Sequence, residues 1–259
     1  MNPPIFLDSF AALLPAGMYS PGGFVPWLAG QAGPHDVLRD QVLDKTYPGF
    51  GKLHIADKLS FAAAALLFSQ YGACAGDETG ITLGIPAGSF SADLLYMDSV
   101  ESGFPSPAIF SATLPSSAIA DIAIYFKIKG PNRVFAGNGA SGLCAFDQGT
   151  IMLQNRKAST MLVLSVHAVE PAHMHSPLLP AYAAGENRAY AFLLTRTKRD
   201  NGLHFRIDTS FGPGEKTLPD RPGESYFDEL VHLLLENKNG GVTFATGDYC
   251  GHISIEKDL

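Results

Sequence analysis

The stretch from Arg133 to Phe146, Arg-Val-Phe-Ala-Gly-Asn-Gly-Ala-Ser-Gly-Leu-Cys-Ala-Phe, constrains the fold of this chain more than any other. Arg133 to Ala136 reads as a short strand, Gly137 to Gly142 as a glycine-rich turn, and Leu143 to Gln154 as a helix. A strand that enters a helix through so tight a turn points the free N–H groups of the helix toward whatever sits at the corner. Two chemistries use such a corner. Gly137, Gly139 and Gly142 satisfy G-x-G-x-x-G, the spacing that lets a backbone approach a dinucleotide pyrophosphate. That site also needs an acidic residue at the end of the next strand, where this chain has His167, with Glu170 only later. The other chemistry is a nucleophile elbow, with Ser or Cys at the apex. Here the apex is Gly139, between Asn138 and Ala140. Ser141 lies past the corner, where its hydroxyl is expected to cap the helix. Cys144 lies more than a turn further in and reads as a small buried hydrophobe. The elbow lacks its nucleophile, which leaves Ser141 or Cys144 as the residues an independent acyl-transfer or hydrolytic enzyme would have to use.

Around this unit the pattern alternates. Ile5 to Leu13 reads as a strand, Pro15 to Pro48 as a Gly/Pro-rich stretch around Trp27, and Lys52 to Tyr71 as a long Ala/Leu-rich helix. Thr79 to Leu83 is a buried strand closed by Gly84 and Pro86. Ser106-Pro107 opens a second long helical region to about Ile128, with Ile119, Ile122, Ala123 and Phe126 at helical spacing and Gly130-Pro131 as the stop. Met161 to Val166 is again a buried strand. Tyr190 to Thr195 and Leu203 to Asp208 flank the polar segment Lys198 to Gly202 and are expected to pair as a hairpin. A helix from Ser225 to Glu236 and strands Val242 to Ala245 and Ile253 to Ile255 follow. Strand–helix alternation up to Val166 implies a parallel core, and the later strands imply antiparallel additions, so the fold class is α/β.

Composition narrows the function. Charged residues make up 17% of the 259, against about 25% in an ordinary soluble domain. A chain so short of charge has surface to bury. The net charge of −7 argues against a nucleic-acid binder and against a surface drawn to anionic lipid. The three cysteines, Cys74, Cys144 and Cys250, form neither a disulfide framework nor a metal motif, which fits a reducing compartment. The N-terminus is a poor signal peptide, with no basic segment and Asp8 in its apolar run. The longest largely apolar run, Leu59 to Phe68, is far short of the ~20 residues that span a bilayer. A cytoplasmic protein is expected.

The string Ser106-Pro107, Ala118-Ile-Ala-Asp-Ile-Ala-Ile124, Gly130-Pro131-Asn132 and then the elbow resembles the N-terminal half of β-ketoacyl synthases, in order and without an evident gap to Phe146. Lys58-Leu-Ser60 and Thr79-Gly-Ile-Thr-Leu-Gly84 are similar to that family's first long helix and the strand after it. The resemblance implies a thiolase-like fold with a largely parallel or mixed sheet flanked by helices. It implies one domain over 1–259, best matched over 50–170, with a truncated and divergent part from 171 onward. Catalytic members read roughly A-C-x-S-G at the elbow, so Gly139 stands where their acyl-accepting Cys would be. No T-G-T-x-x-G-D or N-S-F-G-x-G-G-H-N stretch supplies their histidines; Gly247-Asp248 and Gly251-His252 are only fragments. The chain therefore resembles a chain length factor, the inactive partner of a ketosynthase heterodimer, in the short form associated with aryl polyene synthesis.

That resemblance implies the remaining roles. Ile109, Phe110, Thr113 and Leu114 become gate residues beside an acyl tunnel, set against ordinary core packing, which an apolar helical stripe also explains. Arg133, Val134, Phe135 and Ala136 would pair across a pseudo-two-fold axis with a catalytic ketosynthase subunit in a large, apolar interface. The acidic acyl carrier protein would dock mainly on that partner. No cofactor, metal, nucleic acid or membrane span is expected. His173 and His175 lie near Glu170 without the spacing of a zinc site and read as loop or interface residues. His167 reads as a satisfied interior histidine, and Asp121 as exposed or capping.

Overall fold

The computed structural model describes residues 4–43, 47–71, 78–198, 203, 205–213, 226–246 and 249–257. Cys74, residues 199–202 of the polar turn, Ser225 and Gly247-Asp248 lie outside the described residues. In chain order the elements are β1 (Ile5–Leu14), β2 (Gly17–Ser20), β3 (Gly23–Pro26), α1 (Arg39–Val42), α2 (Ile55–Tyr71), β4 (Thr79–Ile85) and α3 (Phe90–Glu101). Then come α4 (Pro107–Ala112), α5 (Ser117–Phe126), β5 (Asn132–Ala136), α6 (Ser141–Gln154), β6 (Thr160–His167) and β7 (Arg188–Thr195). The last are β8 (Phe205–Pro213), α7 (Tyr226–Leu235), β9 (Gly240–Thr246) and β10 (Tyr249–Lys257).

All strands join one mixed sheet in the order β5-β4-β6-β7-β1-β8-β10-β9, with β2 and β3 attached to β1. β5, β4 and β6 run parallel, and everything beyond β6 is antiparallel to its neighbour. Alternation along the strands sorts two cores. Leu162, Leu164, Ala191 and Leu193 face α2 and α5. Met161, Val163, Tyr190, Phe192 and Leu194 face α6 and α7, where Phe146 and Phe227 close the layer. α2 is buried without a break from Leu59 to Phe68, as a helix apolar on every side must be.

Three expectations are corrected. β7 and β8 are not a hairpin, because β1 lies between them and β8 pairs with β10 along its length. β1 is buried at all ten positions, so its polar backbone groups need neighbours on both edges: β7 lies along one, and the other is shared by β8 at Ile5 to Leu7 and β2 at Ala12 to Leu14. The helical region after Ser106 is two helices rather than one. Pro115 has no N–H, and its ring clashes with the carbonyl four residues back, so α4 stops at Ala112 and α5 starts at Ser117. Part of the Gly/Pro-rich stretch is a β-hairpin, β2–β3, with Trp27 Nε1 donating to the Leu14 carbonyl at 2.9 Å. α3 adds a helix for which the sequence carries no stripe; only Ser91 and Ala92 on it are buried.

Candidate functional site

The elbow sits at the sheet edge, where β5 hands the chain to α6. Gly137 takes φ 84°, a left-handed backbone open to glycine at no cost. Asn138 then organises the turn. Its Oδ1 accepts from the Ala140 N–H at 2.9 Å, and its carbonyl accepts from the Ser141 N–H at 3.2 Å. The Ser141 hydroxyl donates to that same carbonyl at 2.7 Å. Sequence reasoning passed over Asn138, although Asn beside Gly is a strong turn signal. Gly139 is half-buried at the corner and offers only backbone.

Ser141 does not cap α6 as expected. It is the first residue of the helix, behind Ala140, is fully buried, and its hydroxyl is turned back toward Asn138. Among the described residues the hydroxyl bonds only to Asn138, with no histidine beside it. Cys144 is half-buried rather than buried. Gly142 lies directly against β4. A Cβ on Gly84 would fall 2.3 Å from the Gly142 Cα and N and from the Ser141 carbonyl oxygen. Close approach of helix to strand is the work of this glycine pair.

His167 ends β6 with no exposed surface, opposite Arg188 in the β6–β7 register. Its Nε2 lies 3.3 Å from the Gly185 carbonyl, but Nδ1 has no partner, so the expectation of a satisfied histidine holds for one nitrogen only. Burial lowers its pKa, the Gly185 bond opposes that, and Arg188 adds to it, so the surroundings favour the neutral ring. Arg188 pairs with Asp228 and Glu186, and Tyr190 donates to Asp228 at 2.6 Å, which ties β7 to α7. His173 is half-buried and His175 exposed. Among the described residues no group of three or more His, Cys, Asp or Glu could hold a metal. Asp121 is neither exposed nor capping: it is half-buried inside α5 and accepts from the Tyr47 hydroxyl at 3.2 Å.

On the surface, α3, α4 and the segments that follow each of them present apolar side chains. Phe110 is 54% exposed and Leu114 57%, with Ile109 and Thr113 half-buried and Phe104, Met97 and Val100 also exposed. Packing in the core therefore accounts for neither Phe110 nor Leu114. Among the described residues β5 is an edge strand paired only with β4, with Arg133 and Ala136 exposed and Val134 and Phe135 half-buried. An unpaired edge of this kind is a template for another strand. No helix among the described residues is long and apolar enough to cross a membrane.

A mixed sheet between two helical layers, with a glycine elbow feeding α6 at the parallel edge, is the thiolase-like ketosynthase fold. Residues 58–178 match the family Beta-ketoacyl synthase, N-terminal domain. Among solved structures, "The ishigamide ketosynthase/chain length factor" superposes with a TM-score of 0.75 at 14% identity, over 99% of this chain and 100% of that one. A chain of "Ketosynthase (ApeO) in Complex with its Chain Length Factor (ApeC) from Xenorhabdus doucetiae" gives 0.66 at 14%, over 96% and 99%. A chain of "AntDE:AntF (apo): type II PKS acyl-carrier protein in complex with its ketosynthase bound to the hexaketide" gives 0.65 at 11%, over 100% of both. No curated protein matches the sequence.

Proposed function

We propose that this chain is a non-catalytic chain length factor that pairs with a catalytic β-ketoacyl-acyl carrier protein synthase in the cytoplasm. The observation that carries the reading is an elbow with glycine at its apex and its nearest hydroxyl, Ser141, buried and turned away. Without a nucleophile the corner cannot accept an acyl group, so condensation belongs to a partner. The fold likeness to chains of ketosynthase/chain length factor structures supports the pairing. In this reading β5 supplies Arg133, Val134, Phe135 and Ala136 to a strand pair across the interface. Ile109, Phe110, Thr113 and Leu114 line the acyl tunnel, and their bulk sets how long a chain fits. Carrier protein docks mainly on the partner, since the net charge of −7 repels another acidic protein. The reading extends to an aryl polyene as the product, and it calls for no cofactor.

The test is coexpression with a catalytic β-ketoacyl synthase from the same organism. The pair is expected to copurify and elongate a carrier-bound acyl chain, while this chain alone condenses nothing. An active homodimer of this chain would overturn the proposal, as would stoichiometric acylation of Cys144 or Ser141 with activity lost in its Ala variant.

A further inference from the structure

The break between α4 and α5 is held by a polar cluster that the proposed pairing does not use. Asp57, in the first turn of α2, is 7% exposed. The Ser117 hydroxyl, at the start of α5, lies 2.8 Å from Asp57 Oδ1 and 2.8 Å from the Leu114 carbonyl oxygen. It has one proton for two acceptors. We propose that Asp57 and Ser117 form a proton-dependent latch that sets how firmly the corner from Thr113 to Ser117, and the exposed end of α4 with it, is held to α2.

With Asp57 ionised, the carboxylate only accepts, and a charge-assisted bond claims the Ser117 proton. The Leu114 carbonyl then keeps only its bond from the Ser117 N–H, at 2.9 Å. With Asp57 protonated, its own O–H donates to Ser117 Oγ, and the hydroxyl proton turns to the Leu114 carbonyl. The corner is then closed by two bonds and no charge is buried.

The surroundings favour the protonated form. Asp121 on α5 brings a second negative charge, and the Tyr47 hydroxyl is already given to Asp121. The small cavity beside Asp57 is lined by His54 and Ile55, by Gly88 and Ser89 of the β4–α3 turn, by Ser91 and Ala92 of α3, by Ala112 of α4 and by Ala168 after β6. Lys58, the next residue on α2, donates to the His35 carbonyl at 2.8 Å in a separate cavity of about 350 Å³ with Asp36 and Glu170. His54 is thus the one described group in the small cavity able to carry positive charge. Burial raises the Asp57 carboxyl, its bond from Ser117 opposes the rise and Asp121 adds to it, to about 6.

Amide hydrogen exchange on the full chain tests the latch without reference to what α4 binds, so it stands or falls apart from the proposed pairing. Protection of the Thr113, Leu114, Ser116 and Ser117 amides, corrected for intrinsic rate, is expected to fall roughly tenfold between about pH 5 and about pH 7.5, which is the loss of about one hydrogen bond. Asp57→Asn is expected to flatten that profile. Ser117→Ala, which keeps the carboxyl and removes the relay, is expected to flatten it at the weakly protected level. A flat wild-type profile overturns the latch, and so does a transition that survives in either variant. Should Asp57→Asn fail to fold, Ser117→Ala alone decides.

Discussion

Replacing Gly84 by Ala probes the contact on which the elbow depends. The added Cβ would stand 2.3 Å from three backbone atoms, the Gly142 Cα, the Gly142 N and the Ser141 carbonyl oxygen, none of which can rotate away. Ordinary carbon contacts begin near 3.5 Å. The first turn of α6 must therefore lift by about 1 Å, and a gap of that size forfeits a quarter to a half of each dispersion contact it opens. Leu143 and Phe146, both fully buried under that turn, lose the most. A buried Leu makes about 40–60 contacts of 0.1–0.2 kcal/mol, so the loss with overpacking strain is about 3 kcal/mol. Urea denaturation monitored by circular dichroism measures it, with Gly137→Ala as the reference. Gly137 has φ 84° but open space around it, so its variant should cost only about 1–2 kcal/mol of backbone strain. If Gly84→Ala costs less than the Gly137 variant, α6 does not rest on β4 and the account of the elbow is wrong.

Two further outcomes follow from the same structure. Asp57 has a folded-state pKa raised from 3.8 to about 6, so the folded chain binds its proton more tightly than the unfolded one. Its contribution is complete below about pH 4 and declines through about pH 6, by at most about 3 kcal/mol; a pH series of urea midpoints should show this slope in wild type and not in Asp57→Asn. Val134→Pro removes a donor from β5 at an edge position that leaves most of the fold untouched. It should sharply reduce copurification with a ketosynthase partner while the thermal midpoint moves little, and undiminished copurification would detach β5 from the interface.

Local pattern carried much of the fold. The βα alternation through β6, the glycine-rich turn into α6 and the short strand Arg133 to Ala136 were legible, because each rests on short-range spacing and turn chemistry. The break at Pro115 was equally local; the periodicity of Ile119, Ile122 and Phe126 simply spoke louder than one proline. α3 was silent because its helix buries only Ser91 and Ala92 and so needs no stripe.

What depended on distant segments was not legible. Whether β7 pairs with β8 is decided by β1, nearly two hundred residues earlier, whose fully buried backbone needs both neighbours. Ser141 looked like a cap until Asn138 was seen to take its hydroxyl. The polar side chains Asp57, Ser117, Asp121 and Tyr47 lie far apart in the chain and look unremarkable there; only the packing of α5 on α2 brings them together. By itself the sequence determined an α/β chain with a glycine-rich corner between a short strand and a helix, since those are properties of neighbouring residues. The tertiary structure alone decided which strand lies beside which and which buried carboxyl shares a proton with which hydroxyl, because burial and hydrogen bonding are settled between segments rather than along them.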